Sequence, residues 1–445
     1  MPDLVDLCAV AVDAARPGEA VEAYAEESRR VEANAYRGEV ENLTFAESRG
    51  LGVRVIADGR LGYAYAADPT LEEVRRTVEQ ARGNATLASP DEHNVLPSPT
   101  TAEPLAGLFD AAQAAMPLER KVGLALDLER RAVALDARAS KVETAGYGDS
   151  VARMAIASTT GVRGSFERTD CWCVVVALAE EGDDTQTGYS FRIGRRLDEL
   201  DWEGVADEAV ARSVRMLGAT KPETARVPVI LDPFAGSSFL GVLAGALTAE
   251  AVQKGRSLFA NLVGAAVGSP AVTIVDDGRR LDGPGSAPFD DEGVPTGRTP
   301  LIAGGRLEGF LHNAATAHRG ATRSTGNASR AGYRSTPGVG TTNFAMEPGA
   351  ASLEELLRRA EGGVLIQDVS GVHSGANPIS GEFSVGATGL RIRGGALAEP
   401  VREMTIASTL PDMLRSIVAV GSDLRFFSSV GVPSVLVGEM TLAGR

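Results

Sequence analysis

A change of sequence pattern near residue 222 constrains the fold more than any other feature. Before it, β-rich runs alternate with segments of helical periodicity, whereas many short strand-like runs separated by glycine follow it. At 445 residues the chain is longer than a single hydrophobic core usually serves. We therefore predict two domains, residues 1–222 and residues 223–445, with the boundary in the Ala219–Thr224 segment.

The pattern of residues 1–222 indicates an α+β domain built from two α/β lobes in series. In the first lobe, about residues 1–88, the Asp58-Gly59 pair predicts a hairpin between two β-rich runs. Leu71 opens a helical pattern that Gly83 is expected to end.

A proline-rich connector, residues 89–107, leads into the second lobe, about residues 110–222. There, two helical patterns flank three β-rich runs. Cys171 and Cys173 fall on one strand face, but two thiols make neither a disulfide framework nor a four-ligand zinc site, so we interpret them as small strand residues. The predicted helices are Met116–Asp136 and Asp201–Leu217, and the predicted strands are Lys141–Ile156, Cys171–Leu178 and Thr185–Ile193.

Short strands and frequent glycine in residues 223–445 predict a β-rich, barrel-like domain. It begins with the strand pattern RVPVILDP, after which a helix rich in small residues is predicted over Phe234–Gln253. Another helix is predicted over Ser352–Arg359, because Ser352 and Glu355 have the spacing of a capping box.

Acidic charge is concentrated in the first half of the chain. The net charge is −15, and residues 1–225 carry 39 acidic against 25 basic side chains, whereas residues 226–445 carry 20 against 19. Nucleic-acid binding needs clustered positive charge, so no nucleic-acid partner is expected, while a protein partner stays open. None of the four lysines follows a glycine, which excludes a P-loop nucleotide site.

The sequence shows no sign of export or membrane insertion. Its first residues, MPDLVDLCAV, lack the basic segment of a signal peptide. The longest uncharged run, Ser257–Val275, is broken by Asn261 and Pro270 and does not suit a spanning helix. We therefore expect a soluble, cytoplasmic protein without a membrane partner.

Ten sequence strings, in the same order along the chain, resemble the TldD/PmbA family. They are Gly52–Val55 (GVRV), Asp58–Gly62 (DGRLG), Phe289–Thr296 (FDDEGVPT), Arg298–Ile302 (RTPLI), Gly309–Asn313 (GFLHN), Ser324–Asn327 (STGN), Asn377–Gly386 (NPISGEFSVG), Pro400–Ile406 (PVREMTI), Val420–Asp423 (VGSD) and Val432–Val437 (VPSVLV). Ser380 and Glu382 are mild departures from the family pattern. The last three strings are similar to the metal-free TldE (PmbA) side of the family.

The resemblance implies a division of labour between two subunits. A TldD-type subunit holds zinc through a helix bearing HExxxH and a cysteine near the C-terminus. A TldE-type subunit shares the fold, lacks those ligands and completes the metalloprotease complex. The family acts on extended, unfolded or leader-type peptides and is linked to peptide-antibiotic maturation, antitoxin turnover and gyrase modulation.

The residues that would hold catalytic zinc are missing from this sequence. A catalytic zinc site needs about three His, Asp, Glu or Cys ligands on a rigid element. The predicted helix Phe234–Gln253, where the resemblance places the zinc helix, has no histidine, and no cysteine follows Cys173. We therefore expect no metal, no cofactor and no catalytic residue in this chain, and zinc in the partner subunit.

The sequence gives little support for another metal site or for a serine hydrolase. His312, His318 and His373 lack metal-ligand spacing and are expected to be hydrogen-bonded or channel-lining, and no GxSxG motif is present. The Asp276-Asp277 pair before a glycine predicts a turn. The run from Asp290 to Glu292 has too few alternating oxygens for a calcium loop, so we interpret it as solvated loop charge.

Glycine and short hydrogen-bonding side chains in STGN and NPISGEF suit a backbone placed close to another chain. Strand addition holds an extended peptide through its main chain, whatever its sequence. Tight turns that fix the fold are an equal alternative. The predicted groove residues are His312, Asn313, Arg323, Ser324, Thr325, Asn327, Asn377, Gly381, Glu382 and Phe383.

The sequence thus predicts a non-catalytic TldE-type subunit that pairs with a zinc-bearing TldD-type subunit and acts with it on unfolded or leader peptides. Two alternatives stay open. One is a stand-alone homodimer that binds peptides without cleaving them. The other is a hydrolase with a metal-independent mechanism.

Overall fold

The computed structural model describes residues 2–445 and has a mixed architecture. Helices hold 25% of the residues and strands 40%, so the predicted α+β class is confirmed. The second half contains a closed barrel of five strands, which confirms the barrel-like character predicted for it.

A continuous six-stranded antiparallel sheet, in the order β3-β2-β1-β4-β5-β6, forms the N-terminal domain. Strand β1 of the first lobe pairs with β4 of the second lobe over 14 residue pairs. The two lobes therefore share one sheet and are halves of a single layer. The strands are β1 (Ala20–Tyr36), β2 (Glu39–Ala57), β3 (Arg60–Ala67), β4 (Lys141–Ser158), β5 (Arg163–Glu181) and β6 (Asp184–Gly194).

One face of this sheet is covered by helices. Alternating residues of β1, such as Ala23 and Ala33, are fully buried in the two clusters that form against the helices. The opposite face carries Glu22, Tyr24 and Arg54, which are buried against the C-terminal domain. The helices of the N-terminal domain are α1 (Leu4–Asp13), α2 (Leu71–Leu87), α3 (Ala111–Ala114), α4 (Leu118–Leu135) and α5 (Trp202–Val214).

Five strands close the barrel of the C-terminal domain, because β16 pairs with both β15 and β20. Its core is the largest hydrophobic cluster of the molecule and includes Phe239, Phe259 and Phe383. The barrel strands, in spatial order, are β16 (Ala396–Thr409), β15 (Glu382–Arg393), β14 (Val364–Ser370), β7 (Ala225–Leu231) and β20 (Val435–Ala443), and β17 (Ile417–Val420) also pairs with β20.

A second six-stranded sheet and several short helices complete this domain. The sheet runs in the order β10 (Arg306–Leu307), β9 (Arg298–Ala303), β8 (Ile274–Asp277), β13 (Phe344–Met346), β19 (Val430–Val432) and β18 (Arg425–Phe427), and β11 (Ala328–Ser329) pairs with β12 (Gly338–Val339). The helices are α6 (Pro233–Ala246), α7 (Ala249–Gln253), α8 (Ala314–Arg319), α9 (Leu353–Arg359), α10 (Val372–Gly375) and α11 (Leu410–Ser416).

Two predicted helix boundaries are wrong, and each error has a local cause. Helix α2 continues through Gly83 to Leu87, because its buried face packs on the sheet and outweighs the low helix propensity of glycine. The helix predicted over Phe234–Gln253 is divided at Leu247, after which the Thr248 side chain caps α7. None of the helices between residues 2 and 445 combines the length and apolarity needed to cross a membrane.

Candidate functional site

Helix α6 occupies the position where the resemblance to the TldD/PmbA family places a zinc helix. It follows β7 directly, and Asp232 caps its first turn by accepting a hydrogen bond from the Ala235 N–H at 2.8 Å. The outward face of α6 is lined by small residues, and a methyl group at Gly241 or Gly245 would meet no atom within 4 Å. Helix α6 therefore presents an open surface to solvent.

The side chains on and around α6 do not fit a zinc ion. Asp232 is the only potential zinc ligand at this helix, and its second oxygen lies 2.7 Å from the Arg212 guanidinium, so both oxygens are already bonded. Burial raises the pKa of the Asp232 carboxyl above its usual value. Within residues 2–445, no three His, Cys, Asp or Glu side chains are grouped in a way that could hold a metal ion.

Two of the predicted groove segments flank the α6–α7 region. Leu311, which precedes His312, accepts a hydrogen bond from the Ala249 N–H at the start of α7, at 2.9 Å. Phe383 lies on the other side, with its ring centroid 6.0 Å from that of Phe239 on α6. The GFLHN string thus borders the start of α7, and the NPISGEF segment contacts α6 through Phe383.

The STGN turn is held together by internal hydrogen bonds. The Asn327 side-chain N–H donates to the Asp276 carboxylate at 2.6 Å, while the Thr325 hydroxyl donates to Oδ1 of the Asn327 side chain at 2.7 Å. Gly326 has φ +74°, and a side chain there would strike the Pro295 carbonyl. Asn327 is 2% exposed, so its side chain stabilises the fold and does not line a groove.

Three further candidates support the start of α8. The Asn313 side chain caps the helix by accepting from the Thr316 N–H at 2.9 Å. Ser324 donates its hydroxyl to the His312 carbonyl at 3.1 Å. Burial lowers the pKa of His312, and its Nδ1 is buried without a hydrogen-bond partner among residues 2–445. These side chains form a scaffold, in which the His312 ring stays neutral at pH 7.

The other histidine of this region contacts a histidine of the proline-rich connector. His318, near the end of α8, lies with its Nδ1 3.0 Å from Nδ1 of His93 in the proline-rich connector. Beside them, Arg319 pairs with Asp91 at 2.7 Å. The connector is therefore attached to the C-terminal domain at α8.

The NPISGEF segment forms an exposed turn with one buried end. The Asn377 side-chain oxygen accepts from the Ile379 and Ser380 N–H groups at 2.8 and 3.1 Å. Gly381 has φ +82°, which brings the chain into β15, where Phe383 is 1% exposed in the barrel core. Phe383 therefore anchors the turn, whereas Asn377 and Glu382 are exposed.

Among the exposed predicted groove residues, Arg323 and the amide nitrogen of Asn377 are hydrogen-bond donors without a partner. Arg323 is exposed and, within residues 2–445, makes neither an ion pair nor a hydrogen bond. The Asn377 side-chain N–H₂ likewise has no partner in that part of the chain, because only its oxygen is used by the turn. Both groups are available to a ligand.

The acidic run from Asp290 to Glu292 was predicted to be solvated, and this prediction is wrong. Asp290 and Glu292 are 6% and 1% exposed. Asp290 accepts hydrogen bonds from three main-chain N–H groups, while Glu292 accepts from the first N–H of α8, at Ala314, at 2.8 Å. Burial, with the charge of Glu292, raises the pKa of Asp290 well above its usual value.

Glu292 also belongs to a buried ion cluster that joins the two domains, which sequence reasoning missed. Glu22 of β1 contacts Arg54 of β2 and Arg330 of the C-terminal domain. Arg54 Nη2 lies 2.9 Å from Glu292 Oε1, although no aligned hydrogen bond forms there. Burial alone would raise the pKa of Glu22, but the two guanidinium charges lower it. The sequence does contain a signal for this cluster, because the charged residues Glu22 and Arg54 lie inside the apolar strand runs VEAYA and GVRVI.

The predicted Asp276-Asp277 turn is also wrong in part. Asp276 lies in strand β8 and is 1% exposed. Its carboxylate accepts from the Thr342 hydroxyl at 2.7 Å as well as from Asn327, and burial raises its pKa. Asp276 is thus the acceptor on which the STGN turn is built.

The fold and these segments define a protein of the PmbA/TldA metallopeptidase class. Models of that family match domain 1 at residues 21–85, the central domain at residues 112–217 and the C-terminal domain at residues 224–444. The chain belongs to the TldD/PmbA family, as the sequence predicted.

Individual relatives are similar over nearly the whole chain. Metalloprotease PmbA of Escherichia coli O157:H7 is 29% identical over 415 residues, which is 92% of this chain and 88% of that protein. A Thermotoga maritima structure described as a candidate modulator of a DNA gyrase superposes with a TM-score of 0.90 at 28% identity and covers 98% of both chains. TldE from Thermococcus kodakarensis shares the fold, with a TM-score of 0.90 at 24% identity and 99% of both chains covered.

Proposed function

We propose that this chain is the zinc-less subunit of a two-subunit metalloprotease complex that acts on unfolded or leader peptides. The observation that carries the proposal is the composition of α6. Its capping residue, Asp232, is bonded to Arg212 and to the helix N-terminus, and α6 itself contains no histidine, cysteine, aspartate or glutamate. A zinc site needs about three such ligands, so catalysis requires a second chain that supplies them.

Membership in a metallopeptidase family supports the peptidase part of this proposal. The proposal of a second subunit rests on the absence of zinc ligands from α6 in a chain that has the fold of the family. The partner is accordingly a zinc-bearing chain of the same family, with its own ligands on the corresponding helix.

Within this complex, Arg323 and Asn377 are the residues of this chain that hold the substrate. Their spare donors suit the carbonyl oxygens of an extended peptide, which are present at every residue whatever its side chain. The buried members of STGN and the caps of α8 position this surface. Glu382, exposed beside Asn377, adds an acceptor for peptide N–H groups.

Reconstitution of cleavage tests the proposal. This chain alone is expected to leave an unfolded substrate such as reduced, alkylated casein intact. An equimolar mixture with the zinc-bearing family member encoded in the same genome is expected to cleave it, in a reaction that a chelator stops. Cleavage by this chain alone that resists chelators would contradict the proposal and support a metal-independent hydrolase.

Substitutions at the exposed donors test the substrate-holding role. Arg323→Ala and Asn377→Ala should each lower kcat/KM of the complex roughly two- to twelvefold, since a hydrogen bond contributes about 0.5–1.5 kcal/mol and more when the donor is charged. Arg359→Ala is the matched control, because this exposed arginine lies on α9, away from α6. Size-exclusion chromatography checks that each complex assembles. Unchanged kinetics for both variants would reduce these segments to fold-determining turns.

A further inference from the structure

The outer half of strand β2 is an open sheet edge. Strand β3 pairs with β2 only over Gly50–Ala57, so residues 39–49 have β1 on one side and no strand on the other. Almost all of these residues are exposed. The segment contains neither lysine nor proline, which proteins commonly place on edge strands to prevent pairing.

The unpaired main-chain groups of this edge can be assigned from the hydrogen-bond pattern. Asp68 donates its N–H to the Arg49 carbonyl at 3.1 Å, so the main-chain groups of Arg49 face away from β1. Successive residues of an antiparallel strand alternate in this direction, and the pairing is regular from Arg49 to Leu43. The N–H and C=O groups of Glu47, Phe45 and Leu43 therefore face outward, where residues 2–445 offer them no partner.

Two of these three residues, Leu43 and Phe45, place apolar side chains along the edge. Leu43 and Phe45 are 37% and 58% exposed, and they lie opposite Ala33 and Val31, which are buried. The apolar face of the sheet thus continues past its helices into solvent. An exposed, apolar, unpaired edge is a template for a strand from another chain.

The hairpin that carries this edge is rigid. Its turn residues Arg37 and Gly38 have φ +56° and +79°, as a tight two-residue hairpin turn requires. The buried Glu129 carboxylate on α4 accepts from both of their N–H groups, at 2.9 Å in the case of Gly38. Because the edge is already ordered, a docking strand loses less free energy to ordering.

The charged residues of the β2 edge determine which kind of strand can pair with it. Two copies of this edge can pair antiparallel with Leu43 opposite Phe45, but the same register places Glu41 opposite Glu47, and like charges directly opposite each other are unfavourable. Each copy also carries a net charge of −15, which opposes association of two copies. A complementary strand has apolar residues opposite Leu43 and Phe45, flanked by lysine or arginine.

We infer that the β2 edge at Leu43–Glu47 is the docking surface for a strand of a second, non-identical subunit, with apolar side chains between basic ones. This inference rests on the proposed function, because the partner that it names is the zinc-bearing subunit. Strand addition then extends the six-stranded sheet of the N-terminal domain across the subunit interface.

Two variants test this docking surface against that zinc-bearing subunit. Phe45→Pro removes one outward N–H and the aromatic side chain without removing a bond to β1, and it should weaken the complex about tenfold or more. Glu47→Lys reverses the charge next to the apolar pair and should also weaken the complex, with a smaller effect at high salt. Val418→Asp is the control, since this residue of β17 is 55% exposed and belongs to the other domain.

The dissociation constants are measured by biolayer interferometry, and sedimentation velocity of each isolated variant reports its oligomeric state and its fold. A wild-type complex whose affinity neither variant changes would overturn the docking surface and leave the proposed peptidase pairing intact. Absence of any wild-type complex would overturn both. A wild-type chain that dimerises alone, in a dimer that Phe45→Pro disrupts, would identify a second copy as the occupant and overturn the non-identical partner.

Discussion

At the scale of single residues, Glu22 is a buried charge that joins the two domains. Its side chain is 1% exposed and lies between the guanidinium groups of Arg54 and Arg330, which come from different domains. Replacement by glutamine keeps the shape but leaves the two arginines without their shared counter-ion. Breaking a buried pair in this way typically costs about 3–5 kcal/mol.

We therefore expect Glu22→Gln to lower the midpoint of urea unfolding strongly at pH 7, with a loss of about 3 kcal/mol in the free energy of unfolding. The matched control is Glu354→Gln, since Glu354 is 79% exposed in its ion pair with Arg358. Exposed pairs contribute under about 1 kcal/mol. Equal midpoints for the two variants would show that the ion cluster does not couple the domains.

The buried carboxyl group of Asp291 is expected to make the folded state less stable as the pH rises. Burial raises its pKa to about 6, opposed by the Arg330 N–H at 2.7 Å and by the Arg330 charge. The unfolded pKa is about 3.9, so the folded state holds the proton more tightly, and stability from this group is lost as pH rises from about 4 to about 6.

The substitution Asp291→Asn removes the loss of stability that accompanies ionisation of this carboxyl group. Relative to the wild type, the variant should gain roughly 1–3 kcal/mol of stability between pH 4 and pH 7, while its amide oxygen can still accept from Arg330. Urea unfolding of both proteins at the two pH values measures the difference. A stability difference between the proteins that does not change with pH would contradict the assigned pKa.

At the scale of secondary-structure elements, two glycines of the packed pair α2 and β3 have opposite roles. Gly62 of β3 lies under α2, and a methyl group there would approach the Ala81 carbonyl oxygen to 1.9 Å. Gly83 lies in α2 itself, where a methyl group would meet nothing within 4 Å. Close packing between α2 and β3 therefore depends on the first glycine and not on the second.

Gly62→Ala should push α2 off the sheet and lower the free energy of unfolding by more than about 2 kcal/mol. Gly83→Ala should raise it by about 0.5–1 kcal/mol, because alanine is the better helix former. Urea unfolding of the pair gives both values under the same conditions. If Gly62→Ala were as stable as the wild type, the close packing of α2 on β3 would be wrong.

These elements also show how much of the fold can be predicted from the sequence. Periodicity and local turn chemistry predict the Asp58-Gly59 hairpin, the capping box of α9 and the barrel class, because such signals act within a few residues. They fail for the end of α2, since tertiary packing overrides the propensity of Gly83. They also fail for Asp290 and Glu292, whose burial depends on N–H donors and an arginine more than 20 residues away.

At the scale of the whole molecule, the two domains meet through charge. The face of the N-terminal sheet opposite the helices contributes Glu22, Arg54 and Tyr24, and the C-terminal domain contributes Glu292 and Arg330. Glu292 also caps α8, which is followed by the STGN turn. The sequence predicted the segments of this candidate site but not their division into buried scaffold and exposed donors, because that division is set by contacts between distant residues.

We propose that this chain holds no zinc ion of its own and that a partner subunit supplies the zinc. Zinc measured by mass spectrometry in the isolated chain, after dialysis against a weak chelator, tests this claim most directly. We expect far below one zinc ion per isolated chain, because the Asp232 carboxylate that caps α6 is already paired and α6 itself has no zinc ligand. We expect about one ion per complex once the zinc-bearing subunit has joined. Zinc retained by the isolated chain at about one ion per molecule would contradict the proposal.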